Sequence, residues 1–204
     1  MTKALAIKVL AVAGVFFALW FGTPPGSYII AGAIIAVALA LICWGVFDVN
    51  SSLWAPTFWR AQGKQAVALT FDDGPDEQFT PRVLEILARE KVPACFFAVG
   101  ERAQAKPEIL RAIAAAGHIV GNHSHTHAWN INFALHGRLR REVAACGEAV
   151  KAAIGRTPAF YRAPFGFKNP ALGDVLAEQG LACIGWQVRG FDAVGGTPEV
   201  IARR

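Results

Sequence analysis

The chain has 204 residues, a formal net charge of +5 and a mean hydropathy of +0.36, a length that suits one ordinary domain plus an added segment. Its basic residues are interspersed with acids, as where Arg138, Arg140 and Arg141 sit beside Glu142. That is the pattern of solvated helix faces, and it excludes a nucleic-acid footprint, which needs clustered Lys/Arg.

The apolar excess lies before Asn50. Residues 4–22 are apolar apart from Lys8, residues 28–47 carry no charge, and Thr23-Pro24-Pro25-Gly26-Ser27 breaks the two runs. Each run has about the 20 residues that a membrane-spanning helix needs, so residues 1–50 read as a membrane anchor of two transmembrane helices. A cleaved signal peptide ending near Ser27 is the main rival, but no small-x-small cleavage site is present. Two buried core helices are a third reading, opposed by the lack of any polar face in residues 28–47. Lys3 and Lys8 precede the first run, Arg60 and Lys64 follow the second, and the turn is uncharged. The positive-inside rule then puts the rest of the chain in the cytoplasm. Trp44, Trp54, Phe58 and Trp59 read as an interfacial belt or, for Trp54 and Trp59, as domain core. Residues 51–64 read as a linker.

From Gln65 onward strands alternate with helices. Strands are expected at Ala66–Phe71, Ala94–Val99, His118–Gly121, Ala159–Tyr161 and Leu181–Val188, from β-branched and aromatic runs bounded by turn residues. Helices are expected at Thr80–Lys91, with Thr80 as N-cap and Pro81 at the first position, and at Pro107–Ala116, Leu135–Ile154 and Pro170–Gln179. Gly117, Gly155 and Gly180 close the last three. This alternation predicts an α/β fold with parallel strands, either a barrel or an open sheet. Cys43, Cys95, Cys146 and Cys183 lack paired metal-type spacing and read as buried small hydrophobes rather than a disulfide framework. That usage leans toward a reducing compartment.

The chemistry gathers where strands end. The first strand runs into Asp72-Asp73-Gly74-Pro75, two carboxylates suited to different tasks, one on a metal and one on a proton. The third runs into His123-Ser124-His125-Thr126-His127, which holds three of the five histidines. Neutral imidazoles four positions apart, with a carboxylate, make a three-ligand set for a divalent ion. Arg162 and Asp192 follow later strands. In parallel α/β folds the C-terminal strand ends share one face, where active sites are built. His118, inside a strand, reads as core. His125 reads as pointing away from the ion, and His136 as a helix-start residue.

Thr70-Phe71-Asp72-Asp73-Gly74-Pro75, His123-Ser124-x-x-His127 and Arg162-x-Pro164-Phe165 resemble, in order and spacing, the first three motifs of the polysaccharide deacetylases, carbohydrate esterase family four. The resemblance covers residues 65–204. It implies a distorted (β/α) barrel of fewer than eight strands and metal-dependent hydrolysis of an N-acetyl or O-acetyl group on a sugar. It implies that Asp73, His123 and His127 hold one divalent metal ion, such as zinc, cobalt or nickel. Asp72 would be the general base, Arg162 its orienting cation, and a backbone N–H near Phe165 an oxyanion donor.

Asp192 stands at the fourth motif and is expected to be catalytic, although Ala193 follows it where an aromatic residue is common. The fifth motif, a Leu-x-His that supplies the general acid, would lie beyond Arg204, so the chain is expected to be a fragment of a longer protein, ahead of a domain completed by a partner or a degenerate one. Three functions follow: a membrane-anchored deacetylase of cell-wall or chitin-like glycan, a deacylase of a lipid-linked sugar at the membrane surface, or a non-catalytic glycan-binding protein. A cell-wall substrate would require the domain on the periplasmic or extracellular side. The partners implied are an acetylated glycan or lipid-linked sugar and membrane lipid, with the oligomeric state unspecified.

Overall fold

The computed structural model describes residues 3–60 and 66–203; Lys64, of the expected charge bias, and Gln65, the expected domain start, lie outside them. Two apolar helices come first, α1 (Lys3–Phe21) and α2 (Gly26–Phe47). They pack closely, with Gly14 placed so that a Cβ would lie 3.2 Å from Ile34. Only α2, among the described residues, is long and apolar enough to cross a membrane; 11% of its most apolar window is buried. In α1 the apolar stretch is the shorter Leu5–Phe21.

The expected linker contains the strand β1 (Thr57–Phe58), which pairs in parallel with β6 (Ala182–Ile184). Sequence pattern missed it because two residues are too short to show alternation. The remaining strands are β2 (Leu69–Gly74), β3 (Ala94–Ala98), β4 (Ile119–Asn122) and β5 (Phe160–Tyr161). All six form one parallel sheet in the order β1-β6-β5-β4-β3-β2. β1 and β2 are its two ends, and no pairing between them is present among the described residues.

The connecting helices are α3 (Phe79–Glu90), α4 (Gly100–Ala105), α5 (Pro107–Ala115), α6 (His136–Ile154) and α7 (Leu172–Glu178), followed by α8 (Pro198–Ala202). α6 buries Leu139, Val143, Cys146, Val150 and Ala153, the spacing of one helical face. Leu139 and Val143 join a core cluster with Tyr161, Leu172 and Val175, while Cys146 and Val150 join one with Phe96, Leu110 and Ile113. One helix therefore ties both halves of the core together.

Several boundaries move for local reasons. Thr80 is not the N-cap of α3. The Asp76 carboxylate accepts the N–H groups of Gln78 and Phe79, both at 2.8 Å, and the Thr80 hydroxyl accepts the Asp76 N–H at 2.9 Å. α4, too short for a periodic signal, was not expected. β6 ends at Ile184, short of the expected Val188; the next N–H, of Gly185, still donates to Phe58 O at 2.9 Å, but the Gly185 carbonyl accepts from Arg162 Nη2 at 3.0 Å. Trp54 is buried, its indole against Gly45 where a Cβ would lie 2.4 Å away, so it belongs to the core rather than to a belt. All four cysteines are free, and Cys146 and Cys183 are buried as expected, but Cys43 is exposed on α2. Burial pushes the Cys95 thiol up to about 11 and that of Cys146 to about 12.

Candidate active site and metal centre

The C-terminal ends of β2 to β5 converge, and a bulge in β2 sets up the site. Phe71 pairs with Phe96 and Gly74 with Ala98, so β2 spends one residue more than β3 over this interval. A bulge re-aims side chains that would otherwise alternate between faces. Asp73 takes a left-handed backbone, φ 66°, and its side chain turns to the histidines while that of Asp72 turns to Arg162. Such backbone is costly for a residue with a Cβ, about 1–3 kcal/mol each. Ser124, His127 and Phe165 share it, with φ of 68°, 52° and 59°.

Asp73 Oδ1 lies 3.0 Å from His127 Nε2 and 3.4 Å from His123 Nε2. One ligand atom from each of the three residues lies within 4.8 Å of the others. His123 is buried, and its Nδ1 is 2.8 Å from the carbonyl oxygen of Arg162. A carbonyl only accepts, so Nδ1 carries the proton and Nε2 presents its lone pair toward Asp73. Two imidazole nitrogens and one carboxylate in this arrangement fit a divalent cation, with the tautomer already set. Were the imidazoles protonated at Nε2 instead, their hydrogen bonds, from His123 and then His127, would hold the Asp73 carboxyl far below the ordinary carboxylate range.

The loop that presents the histidines is clamped from behind. Asn122 Oδ1 accepts the Ser124 N–H at 3.0 Å, and its Nδ2 donates to Val143 O at 2.8 Å. Glu142 on α6 accepts from Ser124 Oγ (2.8 Å), His125 N–H (3.1 Å), Thr126 N–H (2.9 Å) and Thr126 Oγ1 (2.9 Å). Glu142 had read as part of a solvated face; its charge instead anchors the loop. Burial raises its pKa, but the bonds from Thr126, Ser124 and His125 outweigh that and leave it below 4.5. Because the folded-state pKa is depressed, this stabilisation is present above 4.5 and is lost as pH falls through the lower value. Glu142→Gln is expected to weaken metal binding about 10–100-fold, the usual cost of losing an outer partner. It should also flatten the acid limb of stability, checked by chelator competition and by unfolding across pH.

Arg162 is the second organising residue. Its guanidinium is buried, donating from Nη1 to Asp72 Oδ1 and Thr70 Oγ1, both at 2.8 Å, and from Nη2 to Gly185 O at 3.0 Å. It lies 4.2 Å over the ring of Phe97 and 5.5 Å over that of Trp186. Neighbouring strands are about 4.8 Å apart, so on a flat sheet an arginine following β5 could not reach β2, three places away. The sheet must curl, with the arginine crossing its concave side.

His125 packs against Gly100, where a Cβ would lie 2.3 Å from its Nδ1, and so points away from the cluster as expected. His118 is a core residue, its Nδ1 accepting the Ala94 N–H at 3.3 Å, and His136 opens α6. Phe165 reaches the site, its ring 4.7 Å from His127. Asp192 does not. It is exposed in a short 3-10 helix, Asp192–Val194, with no hydrogen bond or ion pair to Arg162 or Asp72 among the described residues. Arg162 is held by Asp72, the Gly185 carbonyl and the two aromatic faces. Lys168 also went unforeseen. It is buried and donates to Val49 O at 3.0 Å, to Ser51 O and to Thr57 Oγ1 at 3.2 Å.

The polysaccharide deacetylase family model matches residues 60–184, more than half of the chain. The chain belongs to the polysaccharide deacetylase family. It is 33% identical over 157 residues to a peptidoglycan-N-acetylglucosamine deacetylase of Bacillus cereus, covering 72% of this chain and 57% of that protein. It is 38% identical over 129 residues to a chitooligosaccharide deacetylase of Sinorhizobium fredii, covering 62% and 59%. The chain thus spans less than two thirds of either relative's length. Among solved structures, a family 4 carbohydrate esterase from Streptomyces lividans in complex with acetate superposes with a TM-score of 0.64 at 33% identity, covering 67% of this chain and 70% of that one. The motifs of this polysaccharide deacetylase chain, from Asp72-Asp73 to Arg162-x-Pro164-Phe165, fall inside the matched interval.

Proposed function

We propose that the chain is the metal-dependent part of a membrane-anchored hydrolase that removes an acetyl group from an acetylated sugar. The single observation that carries this is the convergence of Asp73, His123 and His127 beside an arginine-paired Asp72. Asp73 and the Nε2 atoms of His123 and His127 would hold one divalent ion, zinc or a similar metal. Such an ion supplies Lewis-acid polarisation of the carbonyl and a water of lowered pKa.

The remaining roles belong to the chain's own groups. Asp72 takes the proton from the attacking water, and Arg162, 2.8 Å from its Oδ1, fixes the carboxylate and favours its ionised form. A backbone N–H at Phe165, in the left-handed turn beside His127, donates to the oxygen of the tetrahedral adduct. The acid that protonates the departing amine is not among these residues. The domain division proposed is an anchor at residues 1–50, in which α2 spans the bilayer and α1 is a second span. It is followed by a catalytic unit that closes toward a distorted barrel. The charge bias assigns that unit to the cytoplasmic side.

The test is acetate release from acetylated glucosamine oligomers by the intact chain. Release that is abolished by a chelator and restored by zinc supports this reading. A metal-loaded chain that releases no acetate from N- or O-acetylated sugars contradicts it.

A further inference from the structure

An apolar surface runs from the end of α2 to the site, and neither metal ligation nor base catalysis uses it. Phe47, the last residue of α2, meets Phe167 edge-on at 5.1 Å between ring centroids. Phe167 lies 6.5 Å from Phe165, which is 4.7 Å from His127. Three ring-to-ring steps thus join the helix end to a proposed metal ligand. Beside this track Trp129, Phe133 and Leu135 are 74%, 74% and 85% exposed. Residues 126–135 contain no charged side chain apart from any charge on His127.

The position of that loop is fixed by adjacent clamps. Asn169 Nδ2 donates to Asn132 O at 3.1 Å and to Ala134 O at 2.7 Å. The preceding residue, Lys168, donates its N–H to Val46 O at 2.9 Å and its ammonium to Val49, Ser51 and Thr57. Two neighbouring residues therefore hold the loop and the end of α2 side by side. Large contiguous apolar exposure marks an interaction surface, and aromatic side chains favour the membrane–water boundary. Continuity with α2, a 22-residue helix of hydropathy 2.7, identifies the partner as lipid.

We propose that the rim of Trp129, Phe133, Leu135, Phe165 and Phe167 lies in the headgroup–acyl boundary of the bilayer that α2 crosses, so that the site takes an acetylated sugar carried on a membrane lipid. The substrate half of this proposal rests on the deacetylase reading; the membrane seat does not. The first test reconstitutes the intact chain and its Trp129→Phe variant in phosphatidylcholine vesicles with bromines at defined acyl positions. The difference emission isolates Trp129. Its loss to bromines near the headgroups, within the ~5–10 Å to which interfacial groups bury, is the expected result. Emission that no bromolipid quenches overturns the proposal.

The second test uses a Trp129→Ser/Phe133→Ser/Leu135→Ser variant. Its kcat/KM on a lipid-carried acetylated sugar is expected to fall at least about tenfold, since three apolar side chains lose their burial. Its kcat/KM on a soluble acetylated oligomer should stay unchanged. Equal losses on both substrates make the rim a sugar platform and overturn the proposal. Quenching of Trp129 with no hydrolysis of either sugar supports the membrane seat and overturns only the deacetylase reading.

Discussion

Asp72→Asn is expected to slow acetate release by about 10²- to 10⁴-fold, the range a positioned general base contributes, while leaving bound metal unchanged. The side chain is partly exposed toward the site, and Arg162 Nη1 holds its Oδ1 at 2.8 Å. Asparagine keeps an oxygen in that place, so the arginine retains an acceptor and the curl of the sheet is preserved. What it loses is basicity. Steady-state rates alongside metal analysis check this. A variant with the parent's rate would put the base elsewhere, and one that loses its metal would make Asp72 a part of the metal centre.

Arg162→Met is expected to cost about 3–5 kcal/mol of stability, as breaking a buried ion pair usually does. The methionine fills the slot between Phe97 and Trp186 but leaves Asp72, Thr70 and Gly185 without their donor. Arg162→Lys is not expected to restore this. A single ammonium cannot reproduce a planar fork that reaches β2 on one side and the Gly185 carbonyl on the other. Thermal unfolding in detergent, compared with the Asp72→Asn chain, measures the difference. Equal stability of the methionine variant would show that sheet pairing, not the arginine, holds the rim together.

How much of this was legible depended on how local each cause was. Asp72-Asp73 and His123-x-x-x-His127 sit in short stretches whose composition already announces ligands, and they end strands whose apolar runs are visible. The Asp73 bulge and the left-handed backbone at His127 decide where those side chains go, yet the positive φ falls on Asp73 and His127 themselves rather than on a glycine. Glu142 is one acid among basic residues on a helix, and only the fold brings the 125–126 backbone N–H groups onto it. Lys168 is similar, because its acceptors lie more than a hundred residues earlier in the chain. Asp192 shows the converse. A position after a strand suggests a site residue, yet Asp192 lies exposed, with no hydrogen bond or ion pair to Arg162 or Asp72 among the described residues. The sheet order and the two-residue β1 follow from tertiary pairing that no sequence window contains.

The most direct measurement is the amount of divalent metal bound per chain in the parent and in the Asp73→Ala and His127→Ala variants. Each should lower metal affinity by more than the ~10–100-fold cost of losing an outer partner, because each removes a donor atom itself. One metal in the folded parent, lost from both variants while their folds persist, is the predicted result. A folded parent that binds no divalent metal, or variants that keep it, would contradict the assignment of Asp73, His123 and His127 as one centre.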